Sequence, residues 1–255
     1  MNSNLLVMNT EKTKLLVMGT KIDNSRYENH GITLNTGSEV ITPEFSGKML
    51  GGLIACDFSW NSHLKDDENS LFRQVMTRVN ALNKISRYSG FKTRKMIANG
   101  IVMSKLTYLI QLWGGCSKHL ILCLQLLQNR AARIVTGKDW FTSVKTLLLE
   151  CGWLSVNQLI LYHSLILIYQ VKNSRKPHYF SEKLNAGFSR ETRLATSDGI
   201  RLMQRNRLSL NKSGFRFRAS QQWNSLPVDV RRSKNIQCFK KNLRAWIVQN
   251  VSLHP

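Results

Sequence analysis

The chain has 255 residues, 42% hydrophobic and 9% aromatic, enough to bury a core and too apolar for wholesale disorder. Its 37 Lys and Arg against 15 Asp and Glu leave a net charge of +22. Such an excess costs self-repulsion unless a polyanion offsets it, most often nucleic acid and less often an anionic membrane. The charge is uneven: 13 basic and 9 acidic side chains in residues 1–100, 24 and 6 in residues 101–255. Five cysteines, odd in number and without CxxC or zinc-finger spacing, read as reduced, mostly buried thiols. The longest apolar run, around Leu159 to Tyr169, is too short to span a bilayer. The N-terminus lacks a basic region before a long apolar run. The expectation is an intracellular protein, nuclear or cytoplasmic, with no signal peptide, no transmembrane segment and no membrane partner.

In chain order, a polar turn at Asn9-Thr10-Glu11-Lys12 precedes a strand Leu15–Met18 ended by Gly19. A weak hairpin runs from Ile32–Leu34 to Val40–Thr42 around Asn35-Thr36-Gly37. Lys48–Ile54 reads as a strand interrupted by Gly51 and Gly52, which admit close backbone approach. A first helix takes Ser62 as its cap, with Asp66, Asp67 and Glu68 in the first turns. Leu71, Val75, Val79, Leu82 and Ile85 form its buried stripe, with Arg73, Arg78, Lys84 and Arg87 elsewhere; Gly90 ends it. The acidic run is the one candidate for metal binding, yet neighbouring helical side chains diverge by about 100° and do not converge on one ion. No metal site is expected.

A second helix, Lys92 to Leu112, buries Ile97, Ile101, Tyr108 and Leu112. After the break Trp113-Gly114-Gly115-Cys116, Ser117 caps a third helix reaching Val135, and Gly137 stops it. Leu120, Leu124, Leu127, Ala131 and Ile134 share its inner stripe, while Gln125, Gln128, Asn129 and Arg133 fall largely off it. A short helix Val144–Glu150 comes next. The capping box Ser155-x-x-Gln158 then heads Leu159–Val171, apolar on all faces and therefore central. His163 on that helix has no identifiable Ser, Cys or carboxylate partner and reads as a core histidine. Beyond the basic loop Lys172–Pro177, Arg190, Arg193, Arg201, Arg205, Arg207, Lys212, Arg216 and Arg218 alternate with Phe188, Phe215 and Phe217. That mixture fits a nucleic-acid surface and, equally, a solvated basic face with buried phenylalanines. Trp223-Asn224-x-Leu226-Pro227 marks a helix end, and Ser233 precedes a closing helix with Ile236, Phe239, Leu243 and Trp246 on one face.

Several of these words, in this order, resemble the end of the palm and the region after it in non-LTR (LINE-type, jockey- and CR1-like) retrotransposon reverse transcriptases. Asn9, Lys12 and Thr13 resemble the family's motif D. Lys48, Leu50 and Gly51 resemble its primer grip. Ser104-Lys105-Leu106-x-Tyr108, Trp113-Gly114 and Leu127–Ile134 resemble the stretch beyond the palm, as do Gly152–Val156, Trp223–Pro227 and the terminal Phe239, Lys240, Leu243 and Trp246.

The resemblance implies a mainly α (α+β) chain: a small N-terminal β-hairpin element, then a helical thumb-like bundle, then a basic helical C-terminal region. The implied divisions are 1–60 (end of palm), 61–137 (thumb) and 138–255 (basic tail). The implied partners are RNA and DNA as a template–primer duplex, and a polymerase portion preceding this stretch. Contacts fall to Lys12, Thr13, Gly51, Gly52, Arg73, Arg78, Arg130, Arg133, Arg201, Arg205, Arg207, Arg216 and Arg218. The family's aromatic-x-Asp-Asp turn, which holds Mg2+, should lie before Asn9 and occurs nowhere in this sequence. No catalytic residue and no cofactor are therefore expected here, and the chain is expected to be inactive alone. The alternative is a domesticated helical module binding RNA or a protein.

Overall fold

The structure, a computed structural model, describes residues 9, 12–19, 31–36, 40–185, 199–200 and 214–251. It is mainly helical with small antiparallel hairpins near the N-terminus, as the sequence led us to expect. The chain divides into two compact units, Met1–Leu71 and Phe72–Pro255.

In the first unit, β1 (Leu34–Asn35) pairs antiparallel with β2 (Val40–Ile41). A longer hairpin joins β3 (Ser46–Met49) to β4 (Gly52–Ala55), with Met49 opposite Gly52. The expected single strand is thus folded in two, because Leu50 and Gly51 both take positive φ (48° and 78°). That is what a two-residue type I′ turn needs. Leu16 packs on Gly47, where an added Cβ would lie 3.0 Å from its Cδ1. Leu15–Met18 makes one bridge, Leu15 to Pro43, rather than a strand. Proline has no N–H to donate, so a ladder cannot continue through it.

Ser62–Asp66 forms a π-helical turn and Asp67 is extended. The Asp67 carboxylate accepts from Asn69 N–H (2.7 Å) and its carbonyl from Ser70 N–H (3.0 Å). This local turn outcompetes helix, so α1, the first α-helix among the described residues, spans Leu71–Ser86. The acidic run precedes it instead of occupying its first turn. Leu71, Val75, Val79 and Leu82 are buried as expected, but Ile85 is exposed.

The second unit continues with α2 (Phe91–Ala98), for which Gly90 is the N-terminal flank. A π-helical segment (Asn99–Met103), α3 (Ser104–Thr107) and α4 (Ile110–Trp113) come after it. The expected single helix is therefore interrupted twice, by the π segment and by Leu109 at φ 53°. An i→i+5 turn inserts residues relative to the 3.6 period and rotates the inner face. Ala98, Val102, Met103, Leu106, Ile110 and Trp113 are buried, while Tyr108 and Leu112 are exposed.

Next come α5 (Lys118–Thr136), α6 (Val144–Cys151), α7 (Val156–Ser174) and α8 (His178–Asn185). The last three are α9 (Phe215–Asn224), α10 (Val228–Arg231) and α11 (Ile236–Asn250). Ser117 makes no side-chain cap to α5, but Gly137 closes it in the left-handed region (φ 68°). Both halves of the Ser155–Gln158 capping box form, and α7 is the central helix, packed by α4, α5, α9 and α11. Gly114 permits its contact with α4: a Cβ there would lie 2.6 Å from Ile160 Cγ2 and 2.6 Å from Ile110 O. On the opposite side the Tyr169 and Phe239 rings stack at 4.2 Å, with Trp223 at 5.9 Å from Phe239. Phe239, Leu243 and Ile247 form the buried face of α11, and Trp246 is half-buried. Asn235 caps that helix, its side-chain oxygen accepting from Cys238 N–H (2.8 Å).

Candidate nucleic-acid interface

In the first unit, Asn9 organises the turn that carries Lys12 and Thr13. Its side-chain oxygen accepts from Lys12 N–H (3.1 Å) and its carbonyl from the Thr13 hydroxyl (2.8 Å). The Lys12 side chain is left exposed. Gly51 lies at the exposed tip of the β3–β4 hairpin and Gly52 is buried at the start of β4. His63 Nδ1 accepts from Leu53 N–H (3.3 Å) and pins the hairpin near its tip.

In the second unit the candidate arginines divide into two kinds. Arg73 on α1 and Arg130 on α5 are exposed. Others point inward to carbonyls: Arg78 Nη1 donates to Ile101 O (2.9 Å) and Arg218 Nη2 to Gln111 O (3.0 Å). Neither arginine was expected to carry such a contact. Burial lowers the Arg218 pKa, but an arginine still stays protonated. Its neighbour Cys116 is pushed up to about 11 by burial, against the pull of Arg218, so the pair is a cation beside a neutral thiol. Arg133 is half-buried, its guanidinium 4.5 Å from the centre of the Trp140 ring. Arg216 is half-buried on α9. Arg201, Arg205 and Arg207 lie outside the described residues. Ile200, just before them, is clamped by Asn224, whose amide donates to its carbonyl (2.7 Å) and accepts from its N–H (2.8 Å).

Gln125, Gln128 and Asn129, expected largely off the inner stripe of α5, instead form a buried polar network. Gln125 Nε2 donates to Gln128 Oε1 (2.9 Å) and Asn129 Oδ1 (2.8 Å), and Gln125 Oε1 accepts from Val156 N–H (2.8 Å). Gln128 Nε2 donates to Leu154 O (2.8 Å). These bonds satisfy the free N–H at the head of α7 and fix the rotation of α5 against it. With Gln128 and Asn129 turned inward, Arg130 faces outward. The carbonyl ends of the helices are also held: Arg94 Nη1 donates to Ile134 O (3.0 Å) near the end of α5. Arg244 Nη2 donates to Gly152 O (2.5 Å) at the end of α6. Both place a cation at the negative end of a helix dipole. Sequence periodicity gave no sign of either.

Charge divides with the two units. Met1–Leu71 carries 6 Lys and Arg against 9 Asp and Glu, a balance of −3, whereas Phe72–Pro255 carries 31 against 6, a balance of +25. Among the described residues no three His, Cys, Asp or Glu side chains converge on a point that could hold a metal ion. His163 is half-buried, edge-on to Tyr162; burial first, then Lys240, lowers its pKa. Burial also pushes the Cys151 thiol up to about 11. No described helix is by itself long and apolar enough to cross a membrane.

No protein-family model matches the chain, and no solved structure matches it. The chain is similar to a Drosophila melanogaster protein described as "Probable RNA-directed DNA polymerase from transposon X-element". The two are 30% identical over 103 residues, which is 40% of this chain and 11% of that protein. The chain thus spans a small part of that relative's length. The likeness relates it to retrotransposon RNA-directed DNA polymerases.

Proposed function

We propose that this chain is the thumb and basic tail of a LINE-type retrotransposon reverse transcriptase, holding template–primer duplex without sequence preference and performing no chemistry by itself. The observation that carries the reading is the charge of the helical unit, 31 basic against 6 acidic side chains. Such a surface repels itself unless phosphates offset it. Exposed Arg73 and Arg130, with Arg201, Arg205 and Arg207, supply the phosphate contacts; Lys12 and the Leu50–Gly51 tip face the primer end. Arg78 and Arg218 serve the reading indirectly, by holding the bundle that presents the others.

The test is fluorescence anisotropy with an RNA–DNA duplex across a salt series. Phosphate contacts release counterions, so about six contacts predict roughly a 10³-fold loss of affinity between about 50 and 200 mM salt. Binding that is insensitive to salt would sink the proposal. Primer extension with Mg2+ is expected to be absent, because the sequence has no aromatic-x-Asp-Asp to hold two metal ions. Magnesium-dependent incorporation abolished by a substitution within this chain would overturn that part.

A further inference from the structure

The loop between α5 and α6 presents two adjacent aromatic rings to solvent: Phe141 is 97% exposed and Trp140 is 76% exposed. These are the residues a folded chain has most reason to hide. The loop nevertheless has defined geometry. Gly137 N–H donates to Arg133 O (2.8 Å), Thr142 N–H to Asp139 O (3.2 Å), and Ser143 caps α6 by accepting from Thr146 N–H (3.2 Å). Arg133 lies against one face of the Trp140 indole and donates to its carbonyl (3.4 Å), which orients the ring. Lys138 is paired with Glu150. Leu126 and Arg130, at helical spacing before Arg133, continue the exposed face along α5. Residues 130–150 carry four Lys and Arg against two Asp and Glu.

From this we infer that Trp140 and Phe141 form a stacking platform for unpaired bases of a single-stranded nucleic acid, with Arg130 and Arg133 beside its phosphates. The chemistry selects the occupant. A purely apolar partner would leave the arginines unmatched, whereas a single strand supplies both π faces and negative charge. A duplex hides its base faces and cannot stack on exposed rings in this way. Because Arg133 holds the Trp140 ring before binding, little conformational entropy is lost there on capture. The inference rests on the nucleic-acid reading above and assigns a second subsite within it, one that shares Arg130 with the duplex surface and adds the two rings.

The experiment compares the full chain with a Trp140→Ala/Phe141→Ala variant. The probes are labelled oligo(dT), oligo(U), an abasic strand with the same phosphates, and the RNA–DNA duplex. Stacking predicts that the variant loses about 10- to 100-fold on oligo(dT) and oligo(U). It should keep wild-type duplex affinity and the same salt slope. Wild-type protein should bind the abasic strand as weakly as the variant binds oligo(dT), and Trp140→Phe should retain most single-strand affinity. Unchanged oligo(dT) binding by the variant, or equal wild-type affinity for abasic and normal strands, overturns the platform while leaving salt-dependent duplex binding intact. Absence of duplex binding alongside the single-strand loss defeats the template–primer reading and leaves the platform standing. If the double variant melts early, Phe141→Ala alone carries the comparison, since its ring is almost wholly in solvent.

Discussion

Leu50 is 82% exposed at the hairpin tip with φ 48°, a conformation that costs an L-residue with a Cβ about 1–2 kcal/mol. Asparagine tolerates that region, so Leu50→Asn is expected to stabilise the hairpin unit by about 1 kcal/mol in denaturant melts. Strain kept in place at an apolar tip fits a contact made there. The same variant should therefore bind duplex less tightly. His163 yields a pH prediction. Its folded pKa lies below the ordinary value of about 6.5, so the unfolded chain takes up the proton first. Stability should rise with pH through about 6.5 and fall as pH drops below it. His163→Leu should flatten the stability–pH curve in that window. A slope unchanged by the substitution would show that another group titrates there.

Among the elements, the seam between α4 and α7 is the most exacting. Gly114→Ala would push a methyl group onto the Ile110 carbonyl and Ile160, and is expected to cost about 1–3 kcal/mol. Gly100 is the contrast. Its Cβ position is open, so Gly100→Ala should be neutral or stabilising. Equal melting temperatures for the two variants would refute the packing account. The polar network at the head of α7 makes a similar demand. Gln125→Leu leaves the buried Val156 N–H without its acceptor and should cost about 1–3 kcal/mol.

At the scale of the whole molecule, charge segregation is the dominant physical fact. The hairpin unit is slightly acidic at −3 and the helical unit strongly basic at +25. If phosphates balance that excess, removing Arg201, Arg205 and Arg207 together should flatten the salt slope by up to about three, near −0.9 per duplex phosphate neutralised. Substituting Lys12 alone should move it by no more than about one. Anisotropy titrations at several salt concentrations read both values, and an unchanged slope in the triple variant would remove that segment from the interface.

The sequence by itself determined the helical class, the charge and the elements whose signals are local. The end of α5 and the start of α7 were legible because Gly137 and the Ser155–Gln158 box act within one turn of their own backbone, whereas α7 runs on to Ser174, into the expected Lys172–Pro177 loop. The two-residue turn at Leu50–Gly51 was readable only as a glycine interruption. Tertiary structure decided which polar side chains turn inward. Gln125 meets Val156 across 31 residues, Arg218 meets Gln111 across 107, and Gln158 reaches Val251 across 93. It also decided that the face beyond α2 is rotated by a π-helical segment, and that Trp140 and Phe141 stay in solvent. A helical period ranks side chains by hydropathy along one element. A buried glutamine or a carbonyl-bound arginine is stable only through a partner on another element, and no window along the chain contains both.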